Sequence, residues 1–417
     1  MNDPGRINVD VDGDRVVDEL NQLATFSSAE QPPPMVTRVV YSPEDLAARK
    51  YLDGLYRDAG FDVRVDAVGN TFVRWEGTDP SAGVVGTGSH IDAIPAAGMY
   101  DGTVGVIGGI EAMRALKRTG FRPRRSIELV MITSEEPTRF GTGCLGSRVI
   151  AGTLTTDDLS HWRDGDDRSF DDVRTAAGFD GEVASARVPP DYFASWVELH
   201  IEQGPRLERD GDSIGVVTAI AAPATLEVVV EGVGGHAGAT LMNGRKDALC
   251  AAAEMMLAVE SVATRPDQVA TVGDVDVYPG ATNSIPSKVR FPIDLRDIDG
   301  DARDASIRSL EGTAGEIARR RGVAVDVRTL HADPPASCDD AIISAIESSA
   351  AAAGLSHRRM VSRAYHDTLF IARVSPVGMI FIPCRDGVSH RPDEYASPRA
   401  IADGVQTLAG TLARLSD

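Results

Sequence analysis

The chain has 417 residues, 42% of them hydrophobic and 25% charged, the balance of a soluble globular protein long enough for two domains. Lys plus Arg number 42 against 62 Asp plus Glu, a formal net charge of −20. That balance argues against nucleic acid or an anionic membrane as partner, since both demand a basic face. No run approaches the roughly 18 apolar residues of a membrane span, and the N-terminus lacks the basic-then-apolar design of a secretory leader. Cys144, Cys250, Cys338 and Cys384 lie far apart without CxxC spacing. They read as reduced thiols, which makes the expected location cytoplasmic.

Apolar residues at helical spacing predict helices over 13–25 (Val16, Val17, Leu20, Leu23) and 43–59 (Leu46, Tyr51, Leu52, Leu55). β-rich runs follow at "FDVRVDAVGNTFVRWEG" and "GVVGTGSHID". A helix is expected at "GTVGVIGGIEAMRALKRTG" and another strand at "RSIELVMITSEE". Strands alternating with helices imply a parallel or mixed sheet covered by helices, with sites beyond the carboxyl ends of its strands. From about 217 the order changes to strand ("TLEVVVEG"), helix ("KDALCAAAEMMLAVESVA"), strand ("VATVGDVDVYP"), strand ("VRFPIDLRD"), helix ("DASIRSLEGTAGEIARRRG") and strand ("VAVDVRTL"). This βαββαβ order is ferredoxin-like. The fold class is therefore α/β, with a mixed-sheet domain over 1–216 and 330–417 and an inserted domain over 217–329.

The eight histidines can be weighed one by one. A lone histidine is more often a hydrogen-bonded structural residue than a ligand, and His161, His331 and His357 read as ordinary surface residues. His90, closing "GTGSHIDAIP", has company: Asp92 is a natural acceptor for an imidazole N–H. Asp101 in "GMYDGTVG", the pair Glu135 and Glu136 in "TSEEPTRFG", His200 in "VELHIEQGP" and His390 in "DGVSHRPDEY" follow. Imidazoles and carboxylates converging from strand ends make a nitrogen-and-oxygen site suited to Zn, Mn, Co or Ni. Adjacent side chains of an extended segment leave on opposite faces, so Glu135 and Glu136 point apart unless the chain bends there.

The motifs "GTGSHIDAIP…GMYDGTVGV", "TSEEPTRFGTGCLGSR", "ELHIEQGP", "GGHAGATLM…RKDA", "PGATNSIP…DLRDID" and "AYHDTLF…MIFIPCRDGVSHRPDEY" resemble the amidohydrolase family of allantoate amidohydrolases and N-carbamoyl-L-amino-acid hydrolases. That family stands with the di-metal aminoacylases and carboxypeptidase-like exopeptidases. Pro137 after the glutamates and the "SRAYH" segment resemble the plant-type ureidoglycolate amidohydrolase subgroup.

The resemblance implies two divalent metal ions, Mn or Zn ahead of Co or Ni. His90, Asp101 and His200 would hold one, and Asp101, Glu136 and His390 the other, with Glu135 as general base. It implies substrate contacts from Gln203, Tyr365 and His366, and from His236, Asn283 and Arg296 of the inserted domain. In the family that domain forms a homodimer interface and lends such residues to the neighbouring subunit. Arg296 suits a carboxylate because its planar fork bonds both oxygens; its plainer alternative is a surface ion pair with Asp297 or Asp299. The plainer alternative for Tyr365 is a core position, and Cys144 reads as a small buried packing residue. The expected reaction is hydrolysis of ureidoglycolate, releasing ammonia and carbon dioxide and leaving a hydroxyglycine that decays to glyoxylate. The alternatives are an N-carbamoyl-L-amino acid or allantoate as substrate, a peptidase, and a catalytically silent binding protein.

Overall fold

The computed structural model describes residues 9–154 and 156–417 and resolves into two compact units. One comprises residues up to Thr218 together with Ser337–Ser362 and His366–Asp417; the other is Ala219–Ala336 with Arg363–Tyr365.

The larger unit is built on a nine-stranded mixed sheet. Its centre is four parallel strands in the order Val377–Ile382, Phe193–Ile201, Val84–His90 and Ser126–Ile132. Val84–His90 and Ser126–Ile132 are buried along their whole length, as a sheet covered on both faces requires. Antiparallel strands flank this core: Thr71–Trp75 then Asp62–Val65 on one side, Ile214–Ile220 on the other. Helix Thr103–Arg118 lies against the sheet through its glycines. A Cβ on Gly105 would stand 2.4 Å from the Leu199 carbonyl oxygen, so only glycine permits this approach. The predicted first two helices form at Gly13–Ala24, capped by Asp12, and Pro43–Asp58, capped by Ser42.

The smaller unit has an antiparallel sheet whose principal order is Val269–Thr271, Lys288–Asp297, Ala222–Glu231, Ala324–Ala332. Helices Ala248–Val262 and Gly300–Arg321 cover one face, burying Leu226, Val228, Val230, Phe291, Ile293 and Leu295. The single strand expected at "VATVGDVDVYP" is instead two, Val269–Thr271 and Asp276–Tyr278, both paired with Lys288–Asp297. Thr271 pairs with Asp294 and Asp276 with Arg290; 276 − 271 is five while 294 − 290 is four, so one extra residue bulges out around Gly273. Among the described residues no helix is long and apolar enough to cross a membrane.

Candidate active site

The four central strands deliver their carboxyl ends to one place. His90 is the last residue of its strand and His200 the penultimate residue of its own. Glu135 and Glu136 come just past Ile132, and His390 follows the strand ending at Ile382.

The turn at 133–136 is fixed from several sides. Ser134 takes φ +57°, bending the chain. Asn70 Oδ1 accepts the Thr133 amide at 2.9 Å. The amides of Cys144, Leu145 and Gly146 donate to the carbonyls of Glu135, Ser134 and Thr133, each at 2.8 Å. The buried Asp92 carboxylate accepts the amides of Glu135 (3.1 Å) and Glu136 (3.0 Å), one per oxygen. Asp92 meets the imidazole through its main chain rather than its carboxylate. His90 Nδ1 bonds the Asp92 backbone carbonyl at 3.0 Å, with the carboxylate 3.7 Å away. The two amides are stronger claimants on those oxygens.

His200 is held alike, its Nδ1 2.9 Å from the Ile201 carbonyl oxygen. With Nδ1–H on a carbonyl, each ring presents Nε2 as a lone pair. The Gly102 amide pointing at His200 Nε2 from 3.2 Å fits that tautomer. Asp101 then divides its oxygens. Oδ1 is 3.0 Å from His200 Nε2 and 3.6 Å from His90 Nε2. Oδ2 is 3.1 Å from His390 Nε2, which is also 3.3 Å from Glu136 Oε1. Glu135 Oε2 lies 3.8 Å from His90 Nε2, and the Cys144 thiol donates to its Oε1 at 3.6 Å.

Where no cation takes the Nε2 lone pairs, the rings carry protons there and donate to Asp101 instead. Burial pushes the Asp101 carboxyl up, but hydrogen bonds from His200, His390 and His90 outweigh it and hold Asp101 well below the usual range. Hydrogen bonds to Asp101 and Glu136 raise His390 to about 11. Burial would lower His90, yet the Glu135, Asp101 and Asp92 carboxylates carry it well above normal. Burial, reinforced by Glu136, Asp367 and Asp101, drives Glu135 well above the ordinary carboxylate value against the opposing pull of His90.

The donor chemistry fits two cations. His90, Asp101 and His200 form one group and Asp101, Glu136 and His390 another, with donor atoms in each within 4.8 Å of one another. Imidazole and carboxylate donors suit borderline divalent ions. Converging carboxylates would otherwise repel, and cations offset that repulsion. Gln203 fits the same picture: its Nε2 donates to Asp101 Oδ2 at 2.8 Å, while its buried Oε1 has no partner among the described residues.

His366 is buried, its ring edge-on to His200 at 4.5 Å between centroids and its Nε2 3.0 Å from Ser362 Oγ. It forms a third group with Glu198 and His200. Glu198 is already occupied by the hydroxyls of Ser89 (2.7 Å) and Thr368 (2.6 Å), so that group acts as a brace beneath His200. In the smaller unit, Arg296 bonds Asp294 through Nε (2.7 Å) and Nη2 (2.9 Å). Neither Asp297 nor Asp299 is that partner: Asp297 is buried and accepts from Gln268. Alternation along the strand puts Asp294 on the same face as Arg296. The Arg296 guanidinium also lies 5.6 Å from the Tyr365 ring centroid. His236 and Asn283 are exposed neighbours: His236 pairs with Ser284, and Asn283 O accepts the Ala237 amide at 2.9 Å.

Sequence reasoning passed over Glu394, Ser389 and Asp367. Two of them stand within a quoted ligand motif, "VSHRPDEY", and Asp367 directly follows His366. Proximity to a candidate ligand was the signal available for all three.

Residues 66–414 match the family model described as peptidase family M20/M25/M40. The chain is 51% identical over 414 residues to a ureidoglycolate hydrolase of Oryza sativa subsp. japonica, covering 97% of this chain and 85% of that protein. It is 38% identical to an N-carbamoyl-L-amino-acid amidohydrolase of Paenarthrobacter aurescens, over 95% of this chain and 96% of the relative. Among solved structures it is similar to AtUAH in complex with glyoxylate and with (S)-hydroxyglycine, each with a TM-score of 0.87 and 48% identity over 98% of both chains. With its fold, its paired histidine–carboxylate groups and these similarities in agreement, the chain belongs to peptidase family M20/M25/M40.

Proposed function

We propose that this chain hydrolyses the ureido group of ureidoglycolate, using two divalent cations at the groups that share Asp101. The observation that carries the chemistry is the divided Asp101 carboxylate, with one oxygen to His200 and the other to His390. The substrate is supported by the 51% identity to a ureidoglycolate hydrolase and by the likeness to AtUAH in complex with (S)-hydroxyglycine. Mn or Zn is the favoured metal, with Co and Ni also compatible with the donor set.

Bound there, divalent cations supply Lewis-acid chemistry, acidifying water and offsetting charge on the carbonyl oxygen under attack. Glu135 takes the proton of the attacking water and delivers it to the leaving nitrogen. Its backbone is clamped while its carboxylate has the weak thiol donor of Cys144 on one oxygen and His90 Nε2 3.8 Å from the other, so the side chain is free for this transfer. The water oxygen bonds to the ureido carbon as one C–N bond breaks. The carbamate left behind loses carbon dioxide, so that the ureido group ends as one ammonia, carbon dioxide and hydroxyglycine, and hydroxyglycine expels a second ammonia as it decays to glyoxylate.

Arg296 would receive the substrate carboxylate and His236 with Asn283 the ureido oxygen, while Gln203, Tyr365 and His366 would also contact the substrate. His236, Asn283 and Arg296 would act on a partner's site in a cytoplasmic homodimer. The edge strand Ala324–Ala332, paired on one side only among the described residues, supports such a contact, as do the exposed Leu241 and Met242.

The test is kcat/KM on ureidoglycolate, allantoate and a series of N-carbamoyl-L-amino acids, with protein stripped of metal and reloaded with Mn, Zn, Co or Ni. Ureidoglycolate should lead. A clear preference for a carbamoyl amino acid with a large side chain would overturn the substrate.

A further inference from the structure

Asp101 and His390 sit on loops that are far apart in the chain, and neither loop is part of the sheet. His90 and His200 are anchored differently, within hydrogen-bonded strands and with Nδ1 on a carbonyl. His390 carries φ +59°, a left-handed conformation that is disfavoured for a non-glycine residue and persists only when its surroundings impose it. Something must set the Asp101–His390 spacing.

The carboxylate of Glu394 reaches both loops. It is 2% exposed. Its Oε1 accepts the amides of Tyr100 (2.9 Å) and Asp101 (3.1 Å). Its Oε2 lies 2.8 Å from Ser389 Oγ, the hydroxyl beside His390, and that hydroxyl is 3.0 Å from Asp101 Oδ2. Room for it comes from Gly98, where an added Cβ would stand 2.4 Å from Glu394 Cβ.

We propose that Glu394 is a positioning residue that fixes the Asp101 Oδ2–His390 half of the site through the Asp101 amide and Ser389, so that its loss weakens one cation position selectively. The His90–His200 position, built on strands, depends on it less. Glu136, the remaining donor of the affected group, is held independently by Asp92 and cannot compensate for a displaced His390. This inference rests on the two-cation reading above.

The test is Mn2+ titration of wild type, Glu394→Ala, Glu394→Gln and Ser389→Ala, counting free Mn2+ by electron paramagnetic resonance, with Tm measured alongside. Wild type should bind two Mn2+. Glu394→Ala should weaken one site by about tenfold or more and leave the other within about threefold, the range expected when a ligand's support is lost. Ser389→Ala should weaken the same site by less, and it carries the test if Glu394→Ala does not fold. Glu394→Gln keeps an oxygen for the two amides and should restore near wild-type binding. Wild type binding fewer than two Mn2+ would overturn the two-cation reading and this inference with it. Two wild-type sites that weaken equally, or not at all, in Glu394→Ala and Ser389→Ala would overturn the role of Glu394 alone.

Discussion

The Asp92 carboxylate accepts the backbone amide of Glu136 at 3.0 Å with one oxygen and that of Glu135 at 3.1 Å with the other. A two-oxygen acceptor there orients both glutamates at once. In Asp92→Asn one acceptor becomes an NH2 facing an N–H, so one amide loses its partner in a buried site. Activity should fall by about 10–100-fold with far-UV circular dichroism unchanged. A variant within twofold of wild type would show that the turn holds itself.

Glu135 and Glu136 are neighbours with separate work. Glu136 meets His390 at 3.3 Å, whereas Glu135 faces His90 and the Cys144 thiol. Glu135→Gln keeps the shape and removes the proton carrier. It should bind cations as wild type does while kcat falls by about 100-fold or more. Substantial turnover in that variant would rule out Glu135 as the sole base.

Gly102 opens the helix behind Asp101 with φ +67°, and a Cβ there would lie 2.4 Å from His90 Nε2. Gly102→Ala therefore meets two penalties, a positive-φ backbone that L side chains rarely adopt and a displaced imidazole. Both Tm and cation affinity should drop. A lowered Tm with unchanged affinity would mean that His90 moves without consequence.

Much of this was legible because periodicity and strand ends are local signals. The helices at 13–25 and 43–59 and the βαββαβ order follow from the spacing of apolar residues, and His90 and His200 fall where buried strands stop. Partner choice was not legible. Whether Asp92 spends its oxygens on an imidazole or on two amides, or Arg296 bonds Asp294 rather than Asp297, depends on side-chain geometry that the pattern of residue types does not carry. Glu394 is the sharper case. It serves Asp101 across 293 residues of sequence, and only the folded loops bring them together.

Asp367 gives a test with a definite sign. Burial, with Glu198 adding and His90 opposing, raises its carboxyl from the ordinary 3.8 to about 8. Its Oδ1 accepts the Ser147 hydroxyl at 2.5 Å, and its Oδ2 has no hydrogen-bond partner among the described residues. The folded chain therefore keeps a proton that the unfolded chain has already lost. The stability this group contributes is fully present below its unfolded value and is lost as pH rises through about 8. Asp367→Asn resembles the protonated acid, still accepts from Ser147 and has nothing to titrate. In chelator-treated protein, the Tm of wild type should fall relative to Asp367→Asn between pH 5 and pH 8, by at most about 1.4 kcal/mol of stability per pH unit, and then run level with it. Parallel Tm curves over that range would mean that Asp367 is ionised in the folded protein at neutral pH, and that a partner stabilises the charge within the site.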